Sequence, residues 1–403
     1  MNNFYNNTGV PVNGNLTQPV YNNQQNQQYI PAQGFQPANV GCVGNQFNGG
    51  FVNYSQPVNY GVNAMPISFG IDLEQLEKER KKEEERKKIK SAANKVAGGA
   101  LIFAGLTQVI ATLLMFPLSF TSAYDMNNSG YIQGIEPIAL YIINAIVSLV
   151  GMGIAGVITI KFFRLRIDDA LQVNKVKISD IIKYTFAGMG FAFVFNLLLS
   201  LMNLNLGIFG FENNMPSYGE IEGVVGNIIY YFALALVPPI AEEFLFRGAI
   251  LGSLRKYGDA FAIIISSILF GFAHANFLQT PVTFLTGLVL GYVTVKSNSI
   301  IPAVIIHFVN NSLAFLQETL ENVITNENIN SLVNSGIAFA FLIAGFICII
   351  LLIRKHQNNL FTLEKPEGQL TMSQKIRASF LTPCMIIFTI YTIAMCIVAA
   401  VSP

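Results

Sequence analysis

Nine apolar runs, at about 97–119, 138–160, 184–206, 224–246, 260–278, 281–295, 299–318, 333–353 and 379–401, dominate the chain after residue 96. A run of about 20 apolar residues is long enough to cross a bilayer as a helix. The expected fold is therefore an all-α, polytopic integral membrane helical bundle with about nine hydrophobic segments. Composition agrees, since charged side chains are 12% of the 403 residues and hydrophobic ones 52%, against about 25% charged in soluble domains. With a formal net charge of only +1, a nucleic-acid binder that relies on excess positive charge is excluded as well.

The loops carry charge in alternation. All 15 basic residues after Lys95 fall in 161–183, 247–259, 296–298 and 354–378, and none falls in 120–137, 207–223, 279–280 or 319–332. Lys and Arg stay on the cytoplasmic side. This predicts a multi-pass cell-membrane protein with its N-terminus cytoplasmic and its C-terminus on the opposite side. Two segments are irregular. The sixth, 281–295, is short for a full crossing, and Pro238-Pro239 interrupts the fourth, which predicts a separately directed second half. Small residues at 151–156 and 188–190, and the GxxxG of Gly287 and Gly291, predict close helix packing inside the bundle.

The N-terminal region differs from the rest. Residues 1–71 contain no charged side chain, and residues 1–60 contain 14 Asn and 9 Gln. Such a segment buries too little apolar surface to offset its ordering entropy, so it reads as a disordered cytoplasmic tail. Met1–Tyr21 has neither a basic start nor an apolar core, so no secretion signal is expected there. Residues 72–95 carry 16 charges in a helix-forming sequence with acidic–basic neighbours three and four apart. This is the expected juxtamembrane helix, with Lys87, Lys88, Lys90 and Lys95 placed to meet anionic headgroups. Residues 96–403 form the membrane domain. Cys42, Cys348, Cys384 and Cys396 are isolated and suggest neither a disulfide scaffold nor a thiolate metal site.

The polar residues within the apolar runs are the informative ones. Glu242 and Glu243 stand in "LALVPPIAEEFLFRGAI", with Arg247 four positions beyond Glu243. On a helix Glu243 and Arg247 share a face and Glu242 points about 100° away, so one acid is paired while its neighbour addresses a cavity. Phe270 and His274 lie in the next run, and His307 and Asn311 in the seventh. Unpaired polar groups are costly at membrane depth, so these should converge on a protein-lined, water-accessible cavity. His356, beside Arg354 and Lys355, belongs to a basic loop and needs no functional role.

Two chemistries suit that set. In one, Glu242 takes a proton from water that His274 positions, and His307 and Asn311 donate to the oxyanion formed on a carbonyl. In the other, Glu242, His274 and His307 hold one zinc ion whose bound water is the nucleophile. No HExxH spacing is present to favour the metal, and zinc stays open at this point.

The motifs resemble a known family. "EEFLFR" (Glu242–Arg247) is similar to the EExxxR motif of the CPBP intramembrane proteases, a group that includes CAAX prenyl protease 2, lysostaphin resistance protein A-like and Abi-family bacteriocin self-immunity proteins. "FGFAH" (Phe270–His274) and "HFVNN" (His307–Asn311) fit its FxxxH and HxxxN patterns, over a protease-like core of roughly 184–318. The resemblance implies an intramembrane endopeptidase in which Glu242 and His274 activate water and His307 and Asn311 stabilise the oxyanion. Glu243, Arg247 and Phe270 support the site, and either glutamate-type or metal-dependent chemistry is compatible, with zinc as the metal. The implied partners are membrane lipid and a peptide or membrane-protein substrate, CAAX-type processing included, and not nucleic acid. A catalytically inactive scaffold or immunity protein is the alternative, with a small-solute transporter behind it.

Overall fold

The computed structural model describes residues 73–121, 124–125, 134–208, 221, 223–357, 359–366 and 368–401. The tail reading for 1–71, with Cys42, lies outside them. Ten helices carry the architecture: α1 (Leu73–Leu118), α2 (Pro137–Phe162), α3 (Ile178–Ile208), α4 (Gly223–Tyr257), α5 (Asp259–Ala273), α6 (Gln279–Ser297), α7 (Ile301–Val323), α8 (Glu327–His356), α9 (Met372–Phe380) and α10 (Pro383–Val401). The only β contacts among the described residues are isolated bridges, Tyr124 with Ile135 and Val173 with Ser299. The chain is an all-α bundle.

Each of the nine hydrophobic segments falls on a helix. Five helices, α1, α2, α3, α4 and α8, are long and apolar enough to cross a membrane, and α9 with α10 makes a sixth if that pair, bent by 74°, is one span. The helices between α4 and α8 are shorter or more polar. The apolar α5 has 15 residues, and α7, although 23 residues long, carries His307, Asn310, Asn311 and Ser312.

The structure corrects two sequence expectations. The short sixth segment begins earlier than its apolar run, at Gln279, because Asn276 Oδ1 accepts the backbone N–H groups of Leu278 and Gln279 and caps the helix start. Its 19 residues give about 28 Å of helix. The fourth segment does not divide at Pro238-Pro239. It continues as one helix from Gly223 to Tyr257, because the turn Phe232–Leu236 widens to π geometry ahead of the prolines, and a π turn absorbs a break in the hydrogen-bond ladder. Arg247, assigned to a loop, thus lies inside α4.

Glycines set the closest helix contacts. Gly190 of α3 faces Gly345 of α8 so tightly that a Cβ on Gly190 would stand 3.3 Å from the Gly345 Cα. Gly287 of α6 lies against Ser267 and Phe270 of α5, so the GxxxG packs within the bundle. Its position brings α6 against the helix bearing the FxxxH residues.

The charged half of α1 is docked from Glu85 onward. Glu85 Oε2 accepts the backbone N–H groups of Gln369 at 2.6 Å and Leu370 at 2.9 Å, and Lys375 Nζ stands 3.2 Å from Glu85 Oε1. Lys375 also donates to the Tyr257 carbonyl at 2.9 Å. Burial favours the neutral acid, but those two N–H groups and the ammonium together hold the Glu85 carboxyl below the usual carboxylate range. Beyond it Ile89, Ala92, Ala93, Val96, Ala97 and Ala100 are buried.

Candidate active site

Pro238 and Pro239 shape the first wall of the site. In a helix the Leu234 carbonyl takes the N–H of residue 238, or of 239 where the turn is π. Both are proline and neither has an N–H. The Leu234 oxygen therefore takes its donor from another helix, the Asn311 side-chain amide of α7 at 3.1 Å. One sequence feature of α4 thus fixes where α7 docks, four residues from His307.

Glu242 and Glu243 end the α-helical turn after the prolines, and Phe244–Leu251 is again π-helical. Glu243 is fully buried and Arg247 is 1% exposed, with Arg247 Nε 3.0 Å from Glu243 Oε2. The contact is an ion pair in distance, without the alignment of a hydrogen bond. The guanidinium also covers the Phe270 ring, 4.1 Å from its centroid, a cation–π contact that strengthens where water is excluded.

His307 joins the two acids. Its Nδ1 lies 2.9 Å from Glu243 Oε1, and its Nε2 lies 3.8 Å from Glu242 Oε2. A carboxylate oxygen accepts, so Nδ1 carries the proton and Nε2 presents its lone pair toward Glu242. Glu242 Oε2 is buried and has no hydrogen-bond partner among the described residues. A separation of 3.8 Å is too long for a direct bond and suited to one intervening water.

His274 ends α5 and its Nδ1 donates to the Phe270 carbonyl at 2.9 Å. It stacks edge-on to the Phe270 ring at 4.9 Å between centroids, and His307 meets the same ring at 5.9 Å. Phe270 is therefore the shared wall of both histidines and of Arg247. No hydrogen bond joins His274 to Glu242 among the described residues, whereas His307 Nε2 stands 3.8 Å from Glu242 Oε2. The motifs did not indicate the Leu234 carbonyl, for which the paired prolines were the available signal. Tyr231, whose hydroxyl lies 3.1 Å from Ser312 Oγ, is a further residue beside Asn311 that the motifs did not indicate.

Zinc does not suit these residues as they stand. A catalytic zinc needs three protein ligands, and no group of three or more His, Cys, Asp or Glu side chains among the described residues is disposed to hold a metal ion.

Comparison with known proteins agrees with the motifs. Residues 224–313 match the family described as type II CAAX prenyl endopeptidase Rce1-like. That span contains every motif residue from Glu242 to Asn311. Over that span the chain is similar to the CPBP family whose motifs it carries. It is 25% identical over 158 residues to the membrane-embedded CAAX protease MroQ of Staphylococcus aureus, covering 37% of this chain and 63% of that one. It is 28% identical over 118 residues to UPF0177 protein YxdF of Lactococcus lactis, covering 29% of this chain and 66% of the relative. The matched region thus spans less than two thirds of each relative. No solved structure matches. With five or six helices of spanning length among its described residues, this chain is a multi-pass membrane protein.

Proposed function

We propose that this protein is an intramembrane endopeptidase that hydrolyses a peptide bond with water activated by Glu242 and His307. The observation that carries the reading is the buried, unpartnered Glu242 Oε2 standing 3.8 Å from His307 Nε2. Two acceptors at that distance hold one water by its two hydrogens and leave its lone pair for a carbonyl. Glu242 takes the proton as the C–O bond forms. Glu243, neutralised by Arg247, keeps His307 in the tautomer that offers Nε2. Asn311 spends one amide N–H on Leu234 and has a second for the oxyanion. Glu242 then returns that proton to the leaving amine as the C–N bond breaks, and His274 Nε2, an acceptor while Nδ1 donates to the Phe270 carbonyl, can relay it.

The likeness to a protein named a CAAX protease makes peptides with a lipidated C-terminal cysteine motif one substrate class, beside unmodified membrane peptides. The test is turnover of fluorogenic peptides of both kinds by the purified full chain in nanodiscs. Glu242→Gln keeps the volume and removes the base, so turnover should fall by about 100-fold or more. A Glu242→Gln protein that cleaves at the unsubstituted rate refutes the reading and leaves the inactive scaffold.

The one-sided distribution of basic residues supports a cytoplasmic placement of loops 161–183 and 354–378. Reporter fusions there should be cytoplasmic, and fusions in 207–223 exterior. The reverse pattern refutes this orientation.

A further inference from the structure

A cavity lies apart from the catalytic residues. About 440 Å³ in volume and open on one side, it is lined by α3, α5, α6, α8 and the loop after α8, with Tyr184, Ile264, Val289, Tyr292, Leu352 and Leu363 on its walls. The volume is that of a small-molecule pocket. Its lining contains no charged side chain and none of the motif residues from Glu242 to Asn311. The loop is held over it by the Tyr292 hydroxyl, which donates to the Leu360 carbonyl, and by Lys296, which donates to the carbonyls of Thr362 and, at 2.9 Å, Asn359.

The rim is basic. Lys183 stands one residue before the lining residue Tyr184, Lys355 three after Leu352, and Lys296 four after Tyr292. Lys355 and Lys183 converge on one carboxylate, Asp180, the latter at 3.5 Å. His356 follows Lys355 at the end of α8, and Lys296 reaches the carbonyls of Asn359 and Thr362 just beyond it. Three cations against one carboxylate leave an excess of positive charge. The His356 Nε2 atom is buried there without a hydrogen-bond partner among the described residues.

We propose that this cavity holds one acyl chain of an anionic phospholipid, whose phosphate is received by Lys183, Lys355 and the His356 ring at the rim. The bilayer supplies acyl chains at higher local concentration than any other apolar ligand, and a lining whose only side-chain polar atoms are the Tyr184 and Tyr292 hydroxyls gives a polar molecule little to bond. The basic rim selects the headgroup, as basic pockets between membrane helices do for anionic lipids. A neutral isoprenyl thioether brings no charge to answer the lysines.

The experiment uses the full chain in phosphatidylcholine nanodiscs containing a trace of phosphatidylglycerol with a photoactivatable diazirine in its acyl chain. Cross-links should concentrate on Tyr184, Val289, Tyr292 and Leu352. Unlabelled phosphatidylglycerol should displace them at least fivefold more effectively than phosphatidylcholine. Lys355→Gln, which leaves the Lys183–Asp180 pair, should remove that preference, and Val289→Trp should fill the cavity and reduce labelling at least fivefold. Labelling spread evenly around the bundle, equal displacement by both lipids, or stronger displacement by farnesol overturns the proposal. If Val289→Trp does not fold, the map and the competition on the unsubstituted chain decide the matter by themselves.

Discussion

Asn311→Ala removes the amide that donates to the Leu234 carbonyl at 3.1 Å. With proline at both 238 and 239, no backbone N–H within α4 is positioned to replace it. A partly buried carbonyl left without a donor costs about 1–3 kcal/mol. Pro238→Ala changes this result, because it restores an N–H four residues after Leu234. In that background the Asn311→Ala cost should fall below about 0.5 kcal/mol, which makes the pair strongly coupled in a double-mutant cycle. The chain has no tryptophan, so thermal unfolding in detergent is followed by exposure of the buried Cys396 thiol, with Cys42, Cys348 and Cys384 replaced by serine. Asn311→Ala should lower the midpoint in the native background and hardly move it beside Pro238→Ala. Equal losses in both backgrounds would refute the reasoning, because Asn311 would then stabilise the fold independently of the proline break.

Two further outcomes follow from the ion pairs. Arg247→Ala leaves the fully buried Glu243 carboxylate without its cation, at a cost of about 3–5 kcal/mol, so little folded protein should be recovered. The double change Glu243→Gln with Arg247→Met should recover more, as judged by monodisperse yield, since neither partner is left charged and alone. Glu85 gives a pH dependence. Its carboxyl titrates below the ordinary value, so its contribution is present above the unfolded carboxylate pKa and is lost as pH falls through the lower folded value. Amide exchange at Gln369 and Leu370 should therefore rise, after correction for intrinsic rates, as the pH is taken below the ordinary carboxylate range. In Glu85→Gln that acid-induced rise should vanish.

How much was legible in the sequence depends on the range of the interaction. Apolar run length decided the number and type of hydrophobic segments, because helices satisfy their backbone within one segment and need only a length of apolar residues to cross lipid. The i,i+4 spacing also decided that Glu243 and Arg247 would meet and that Glu242 would be left to face elsewhere, since both positions lie on one helix. The partner of Glu242 was not legible. The reading from motifs placed His274 with Glu242 and His307 with the oxyanion; the packed bundle brings His307 within 3.8 Å of both acids and sets both histidines edge-on to the Phe270 ring. Which of two histidines from separate helices comes nearest depends on how those helices rotate and slide, and that is set by contacts such as Gly287 on α5 and Asn311 on the Leu234 carbonyl. The fate of Pro238-Pro239 shows the same division. The missing N–H groups are a property of the sequence alone, but whether the helix breaks or continues was decided by an amide on α7, 77 residues away, which supplied the donor that the local chain lacked.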